Sequence, residues 1–174
     1  MKLLAKLRNR KDDTIMLAIV DELAKDNLTV ADQTAYLKPL MPPPGVLTKR
    51  NPTEEEKEDI RFGFETAKAM GGMDIGQTVV VKHKAVMAIE AIEGTDACIR
   101  RGGQLAGGGA VVAKAAKPQQ DSRFDVPAVG LDTIESLVAA KASALVIEAG
   151  KTLFIDKERA IALAEANGIT IAAM

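Results

Sequence analysis

The sequence predicts an α/β fold in which a mixed sheet is flanked by helices and preceded by an N-terminal helical arm. Helical apolar periodicity alternates with short Val- and Ile-rich runs, a pattern typical of α/β proteins. Some of these runs follow one another closely, as in β-hairpins, which indicates a mixed rather than a purely parallel sheet. A proline-rich stretch at 38–45 separates the first helices from the rest. We therefore expect an arm and proline-rich linker at 1–44 and one α/β domain at 45–174.

Local signals justify each element. Asp12 or Asp13 offers an N-cap to a helix whose apolar stripe includes Ile15 and Leu23. Thr53 and Glu56 have the spacing of a capping box. In the first half of the chain, the predicted elements are helices at 2–9 and 12–26, a stiff extended link at 38–45, a helix from the Thr53 cap to Gly71–Gly72, and strands at 77–83 and 85–92 separated by a charged turn at His83 and Lys84. They are followed by a short helix from Gly94 to Gly102–Gly103, a strand at 110–116, a helix at 132–141, strands at 145–148 and 153–155, a helix at 156–167 and a strand at 169–173.

The composition excludes several classes of protein. The chain has 174 residues, of which 47% are hydrophobic, enough for one domain with a sizeable core. Aromatic residues make up only 3% and the net charge is −1, so no nucleic-acid partner is expected, because such a surface needs stacking rings and a basic excess. No apolar run has the length of a transmembrane helix, and none follows the basic first residues as it would in a signal peptide.

Two residue types that occur once narrow the chemistry further. The single cysteine, Cys98, excludes an internal disulfide and favours a cytoplasmic location. The single histidine, His83, excludes a multi-histidine zinc site. Any metal ion is therefore expected to be held by carboxylate and phosphate oxygens, which are the ligands of Mg²⁺ or Mn²⁺.

The segment 117–130 is the stretch around which the rest of the chain is organised. Two prolines bound it, and because proline disfavours a helix and biases its predecessor toward extended backbone, an extended conformation is predicted. Alternation then places Asp121, Arg123 and Asp125 on one face and Ser122, Phe124 and Val126 on the other. Two carboxylates and a guanidinium on one face suit a phosphate bound through a divalent metal. The alternative is a surface loop in which Arg123 only pairs with its neighbours.

Polar residues also stand near predicted strand ends. Gly94, Thr95 and Asp96 lie where a strand meets a helix N-terminus, which suits an anion, although Thr95 or Asp96 as a simple helix cap is the alternative. Glu90 and Glu93 near the strand end are either metal or hydroxyl ligands or part of a solvated edge. Gln77 either hydrogen-bonds a sugar or uracil edge or belongs to a turn entering the sheet.

Gly150 and Lys151 lie between two predicted strands and are interpreted as a hairpin turn from which Lys151 can reach a phosphate. A P-loop is excluded, because Leu145 stands where that motif needs glycine and a strand rather than a helix is predicted next.

Five stretches taken together resemble one family. They are Gly45–Thr48, Asp74–Gln77, Glu90–Asp96, the series from Lys117 to Pro127, and Glu148–Thr152. In order and spacing they are similar to the LpxI-type UDP-2,3-diacylglucosamine pyrophosphatases of lipid A biosynthesis, from about residue 10 to the C-terminus. The chains of that family are longer and hold the acylated sugar between two domains. We expect the family's N-terminal domain to be largely missing here.

The resemblance implies hydrolysis of the pyrophosphate bond of UDP-2,3-diacylglucosamine to UMP and lipid X (2,3-diacylglucosamine 1-phosphate), with Mg²⁺ or Mn²⁺. An aspartate required for turnover in the family matches Asp125 best. We therefore expect Asp125, Arg123 and Asp121 to be catalytic. Asp125, Asp121 and Asp96 are the expected metal ligands. The expected substrate-binding residues are Gln77, Glu93, Gly94, Thr95, Asp96, Lys117, Gln120, Lys151 and Thr152.

The expected partners are an acylated UDP-sugar substrate, the inner membrane surface through peripheral contact, and a second copy of the chain in a homodimer. The basic residues within 2–11 are either a solvated helix face or the part that contacts that anionic surface. Two alternatives to an enzyme remain open. The chain is then either a module that only binds the glycolipid phosphate or uridine nucleotide, or an oligomerisation domain.

Overall fold

The computed structural model describes residues 12–174, and the predicted helix at 2–9 lies outside them. The described helices are α1 Asp12–Lys25, α2 Thr34–Leu37, α3 Glu54–Gly72, α4 Thr95–Ala106, α5 Leu131–Ala139 and α6 Lys157–Ala166, with a 3-10 turn at Lys38–Leu40. The strands are β1 Gly45–Val46, β2 Thr78–Lys82, β3 Ala85–Ile89, β4 Val111–Lys114, β5 Ala128–Val129, β6 Ala144–Ile147, β7 Leu153–Phe154 and β8 Thr170–Ala173. No helix among these residues is long and apolar enough to cross a membrane.

Six strands form one mixed sheet in the order β1-β8-β6-β4-β2-β3, which confirms the predicted fold class. The central strands β4, β6 and β8 are parallel, whereas β2 runs antiparallel to both β4 and β3, and β1 runs antiparallel to β8. The carboxyl ends of β3, β4, β6 and β8 therefore meet the start of β2 at one edge of the sheet. We call this the carboxyl edge.

Both faces of the sheet are covered because its central strands are apolar on both sides. Val79, Val81 and Val111 belong to a core cluster that packs against α3, with Ile60 from that helix. Their neighbours Val80 and Val112 belong to the other cluster, which α4, α5 and α6 cover. This period of two is the alternation expected of extended strands.

Helix α3 begins where its local signal predicts. The Thr53 hydroxyl accepts the Glu56 N–H at 3.2 Å, and the Glu56 carboxylate accepts the Thr53 N–H at 2.8 Å, so the capping box is confirmed. The predicted hairpin turn at His83 and Lys84 is also present, with both residues at positive φ. The buried Asp59 of α3 accepts both of their N–H groups, at 2.8 and 2.6 Å, and thereby ties the turn to the helix.

The predicted end of α4 at Gly102–Gly103 is wrong, because the helix continues to Ala106 and Gly107 follows in the left-handed region. The two glycines are needed for close packing instead. A Cβ on Gly102 would lie 2.5 Å from the Val80 Cβ, and one on Gly103 would lie 2.5 Å from the Ala140 Cβ. These glycines let α4 approach the sheet and α5.

The predicted hairpin around Gly150 is also wrong. Strand β6 pairs in parallel with β4 and β8 and has no side left for an antiparallel return, so β7 pairs with β5 in a separate two-stranded sheet. Gly150 has a φ of +66°, and its N–H donates to the Pro42 carbonyl at 3.0 Å. The loop after β6 therefore rests against the proline-rich linker.

The segment 117–130 is not extended as predicted, because it curls into turns before β5. The N–H groups of Phe124 and Asp125 both donate to the Asp121 carbonyl, at 3.3 and 2.9 Å. The Asp121 side chain also accepts the Arg123 N–H at 3.0 Å, a local bond that competes with extended backbone. Residues 120–126 are all half-buried, so the predicted division into an inner and an outer face is absent from this segment.

Candidate active site at the carboxyl edge

Lys114 lies at the end of β4 in the middle of the carboxyl edge and is only 9% exposed. Its Nζ donates to the Thr95 hydroxyl at 2.8 Å, and that hydroxyl donates to the Glu90 carboxylate at 2.9 Å. Burial lowers the pKa of Lys114, while the charges of Glu90, Asp96 and Asp125 act in the opposite direction. Thr95 opens α4, so the ammonium lies beside the positive end of that helix.

Lys117 links two aspartates at the same edge. Its Nζ lies 2.9 Å from an Asp74 oxygen and 3.4 Å from an Asp125 oxygen, and its side chain is 13% exposed. The Lys117 N–H also donates to the Gln120 side-chain oxygen at 2.6 Å, which fixes the start of the loop. Asp125, the expected catalytic residue, is thus held beside a cation and acts electrostatically on Lys114.

Arg123 and Asp121 form a two-pronged ion pair within the same loop. Arg123 Nε lies 2.9 Å from one Asp121 oxygen, and a terminal guanidinium nitrogen lies 2.6 Å from the other. The hydrogen bond from Arg123 holds the pKa of Asp121 below its ordinary value. This ion pair agrees with the alternative interpretation of the segment, a surface loop in which Arg123 only pairs with its neighbours. The described contacts join Asp125 to Lys117 rather than to Arg123.

Glu148 follows β6 and is 8% exposed. Its carboxylate accepts Lys68 Nζ at 3.0 Å, Lys151 Nζ at 2.9 Å and the Ala116 N–H at 2.8 Å. Burial alone would raise the pKa of Glu148, but hydrogen bonds from Lys151 and Lys68 outweigh it and hold that pKa below its ordinary value. Glu148 therefore joins the loops after β4 and β6 to α3, and Lys151 is engaged by it.

Three expected substrate-binding residues carry a buried polar atom that has no hydrogen-bond partner within the described part of the chain. These atoms are Gln77 Oε1, Gln120 Nε2 and Thr152 Oγ1. Because buried polar atoms are normally satisfied, they are suited to bond a ligand. Glu93 instead forms an ion pair with Arg101, which matches its interpretation as part of a solvated edge. Gly94 precedes α4 with a φ of +82° and has open space where a Cβ would lie.

A cavity of ≈ 430 Å³ lies between the proline-rich linker and the loops after β4 and β6. Its apolar lining includes Met41, Ala116, Val126 and Pro127, and two expected site residues, Gln120 and Lys151, also line it. An edge that carries buried lysines and a helix N-terminus, beside an apolar cavity, suits a ligand with an anionic and an apolar part.

The predicted metal ligands do not form a ready-made cluster. Between residues 14 and 174, no group of three or more His, Cys, Asp or Glu side chains is arranged to hold a metal ion. Both oxygens of Asp121 are engaged by Arg123, so Asp125 is the better-placed carboxylate. Mg²⁺ commonly binds one or two carboxylates together with substrate phosphates and water, so this donor set fits an ion that arrives with a diphosphate.

Sequence reasoning missed Lys114, Lys68 and the role of Asp74 in this edge. Lys114 had a visible signal, because a lysine inside the apolar run 110–116 of a central strand must find a polar partner. Lys68 had none, because its partner Glu148 is 80 residues away in the chain.

The fold and this edge define an α/β protein that offers buried cations and a helix N-terminus to an anionic ligand. The LpxI C-terminal domain model matches residues 43–172, and the LpxI N-terminal domain model matches residues 1–40. The chain therefore belongs to the LpxI family. The prediction that the N-terminal domain is largely missing is wrong, because residues 1–40 match that domain.

One relative is the UDP-2,3-diacylglucosamine pyrophosphatase LpxI of Caulobacter vibrioides. The chain is 36% identical to it over 168 residues, a match that covers 92% of the chain. The same match covers 60% of the relative's length, so the chain spans less than two thirds of that protein.

Proposed function

We propose that this protein hydrolyses the pyrophosphate bond of UDP-2,3-diacylglucosamine, releasing UMP and 2,3-diacylglucosamine 1-phosphate (lipid X), in lipid A biosynthesis. The observation that carries the proposal is the juxtaposition of Asp125, Lys117, Lys114 and the α4 N-terminus at one edge. The similarity to a UDP-2,3-diacylglucosamine pyrophosphatase supports the choice of substrate. The apolar cavity beside the edge supports a substrate that carries acyl chains.

The proposed reaction is the attack of water on one phosphorus atom of the diphosphate. A bond forms from the water oxygen to that phosphorus, the bridging P–O bond breaks, and two phosphate monoesters are produced. Asp125 orients the water and would hold the expected Mg²⁺ or Mn²⁺, and Asp96 and Asp121 stay predicted supporting ligands. When bound, such an ion would neutralise phosphate charge.

The other residues of the edge supply binding and positioning in this proposal. Lys117 keeps Asp125 in place through their ion pair, and the backbone at Gly94 and Thr95 receives phosphate oxygens. Gln77 and Gln120 each offer a buried polar atom to the uridine or the sugar.

We further propose that the protein works in the cytoplasm, touches the inner membrane surface peripherally and forms a homodimer.

Replacing Asp125 tests the proposal. Asp125→Asn removes the negative charge but keeps the shape, so we expect UMP release to fall about 100-fold or more while glycolipid binding persists. UMP release from UDP-2,3-diacylglucosamine with Mg²⁺ is measured beside substrate binding and thermal unfolding. Asp132→Asn, an exposed aspartate in the first turn of α5, is the matched control.

Near-normal turnover in Asp125→Asn would remove Asp125 from the mechanism. If the unaltered chain binds the glycolipid without releasing UMP, the binding-module alternative replaces the enzyme. If the unaltered chain neither binds the glycolipid nor releases UMP, the remaining interpretation is an oligomerisation domain.

A further inference from the structure

Lys114 is a buried cation with few partners. Its Nζ carries three N–H groups, and the hydrogen bond described for it goes to the Thr95 hydroxyl. Among residues 14–174, no carboxylate lies within 4.0 Å of this nitrogen, so Glu90, Asp96 and Asp125 act on it only across longer distances. A lysine that is 9% exposed and holds so few bonds costs folding free energy unless something else uses its charge.

Lys82 shows how a structural lysine looks in the same sheet. It ends the neighbouring strand β2 at the opposite edge, and its Nζ donates to the carbonyls of Ala106 and Gly108, at 2.8 and 2.7 Å. These backbone carbonyls satisfy the Lys82 ammonium, and the hydrogen bonds fix the end of α4. Lys114 has a single rotatable hydroxyl instead, which leaves N–H groups to offer to a ligand.

The surroundings of Lys114 favour an anion. Thr95 is the first residue of α4, so the ammonium and the positive end of the helix dipole lie together. Glu90, Asp96 and Asp125 offset part of this positive charge from a distance, but the ammonium still has N–H groups with which it can bond an anionic oxygen. The glycine before Thr95 has open space at its Cα, so a bulky anion can approach the backbone there.

We propose that Lys114 is a substrate-binding residue whose ammonium contacts a phosphoryl oxygen of the diphosphate, with Thr95 holding that ammonium in place. The identity of the ligand rests on the proposed function. The contact offsets charge on the phosphoryl oxygens, which is where catalysis of phosphoryl transfer needs it most. In this assignment Glu90 is a positioning residue, since it accepts the Thr95 hydroxyl hydrogen and turns the hydroxyl oxygen toward Lys114.

Affinity for inorganic pyrophosphate tests this contact without requiring turnover. Titration calorimetry with Mg²⁺ and pyrophosphate compares the full chain with Lys114→Met and Lys82→Met, the latter being the same substitution at the opposite edge. We expect Lys114→Met to weaken binding at least about tenfold and to flatten its salt dependence, because a charged hydrogen bond to phosphate is lost. Lys82→Met is expected to lower the unfolding temperature but not the affinity.

A chemical rescue separates the charge of Lys114 from its packing. In Lys114→Cys, alkylation of the new thiol with 2-bromoethylamine displaces bromide and restores an ammonium at nearly the original distance. Cys98 does not compete, because it is 0% exposed and burial raises the pKa of its thiol to about 12. We expect the alkylated protein to regain most of the lost pyrophosphate affinity, whereas iodoacetamide treatment should not restore it.

The two proposals fail in different ways. If the unaltered chain releases UMP but Lys114→Met binds pyrophosphate normally, the Lys114 assignment is overturned and the function stands. If pyrophosphate binding depends on Lys114 while no UMP is released, the function fails and the assignment stands. Unaltered protein that does not bind pyrophosphate overturns the assignment, and Lys114→Gln replaces Lys114→Met if the latter does not fold.

Discussion

Glu148 joins α3 to the loops after β4 and β6 at the carboxyl edge. Two lysines from different elements and one backbone N–H converge on its buried carboxylate. Lys151 is 60% exposed and contributes little, whereas Lys68 is 28% exposed and reaches Glu148 from α3. The Lys68 contact is therefore the one that stabilises the fold.

The stability of the protein should depend on Glu148 in a pH-dependent way. Hydrogen bonds from Lys151 and Lys68 hold its pKa below the ordinary value in the folded state, so its contribution to stability is present above the unfolded pKa and is lost as the pH falls through the folded pKa. We expect Glu148→Gln to lower the free energy of unfolding by about 1–3 kcal/mol at pH 7, because the charge that accepts the hydrogen bond from Lys68 is removed. Urea unfolding between pH 7 and pH 3 measures it.

The exposed Glu158 of α6 provides the control for this experiment. Glu158→Gln should leave the free energy of unfolding nearly unchanged at every pH. The expectation for Glu148 would be contradicted if the difference between Glu148→Gln and the unaltered protein stayed constant as the solution is acidified.

At the scale of the element, α4 serves both the core and the site. Its first residue, Thr95, contacts Lys114, and its glycines let the helix lie against β2 and α5. The position of its N-terminus at the carboxyl edge therefore depends on close packing about two turns further along.

Gly103→Ala tests that dependence. Alanine normally favours a helix by about 1 kcal/mol over glycine, but here the new Cβ would lie 2.7 Å from the Ala140 carbonyl oxygen. We expect a net loss of about 1–3 kcal/mol in the free energy of unfolding and weaker pyrophosphate binding, because α4 must move. Gly72→Ala at the end of α3, where the nearest atom is 3.8 Å away, should change stability by less than about 1 kcal/mol. Equal effects of both substitutions would show that α4 tolerates the extra methyl group.

Sequence reasoning worked for elements whose signals are local. The capping box of Thr53 and Glu56 and the turn at His83 and Lys84 involve neighbours in the chain, and both are confirmed. The end of α4 was misplaced because a glycine that breaks a helix and a glycine that packs it against a sheet look alike in sequence.

The candidate site was harder to predict because its contacts are distant in sequence. The loop around Asp121 was expected to be extended because prolines bound it. The Asp121 side chain instead accepts the N–H of Arg123, two residues further on, and this local hydrogen bond favours a turn. The position of Asp125 beside Lys117 and the burial of Lys114 depend on the strand order, which residue patterns do not specify.

For the whole molecule, the ion and the diphosphate are expected to bind together. No cluster of three metal-ligating side chains is present among residues 14–174, so Mg²⁺ alone should barely change the melting temperature. With pyrophosphate present at 100 times its Kd, Mg²⁺ should raise the melting temperature by roughly 5–10 °C. EDTA should abolish both this increase and the release of UMP. Differential scanning calorimetry measures the melting temperature with Mg²⁺ alone and with Mg²⁺ and pyrophosphate. A full increase with Mg²⁺ alone would mean that the chain holds a preformed metal site.

The strand order also has a consequence for how the protein is made. Strand β8 lies between β1 and β6, and it pairs Gly45 with Ala173 across nearly the whole domain. During synthesis, β1 and one edge of β6 have no paired strand until β8 has been made, so both expose unpaired backbone groups. The sheet closes only after residues 170–173 emerge from the exit tunnel, so premature termination shortly before them would leave an aggregation-prone chain.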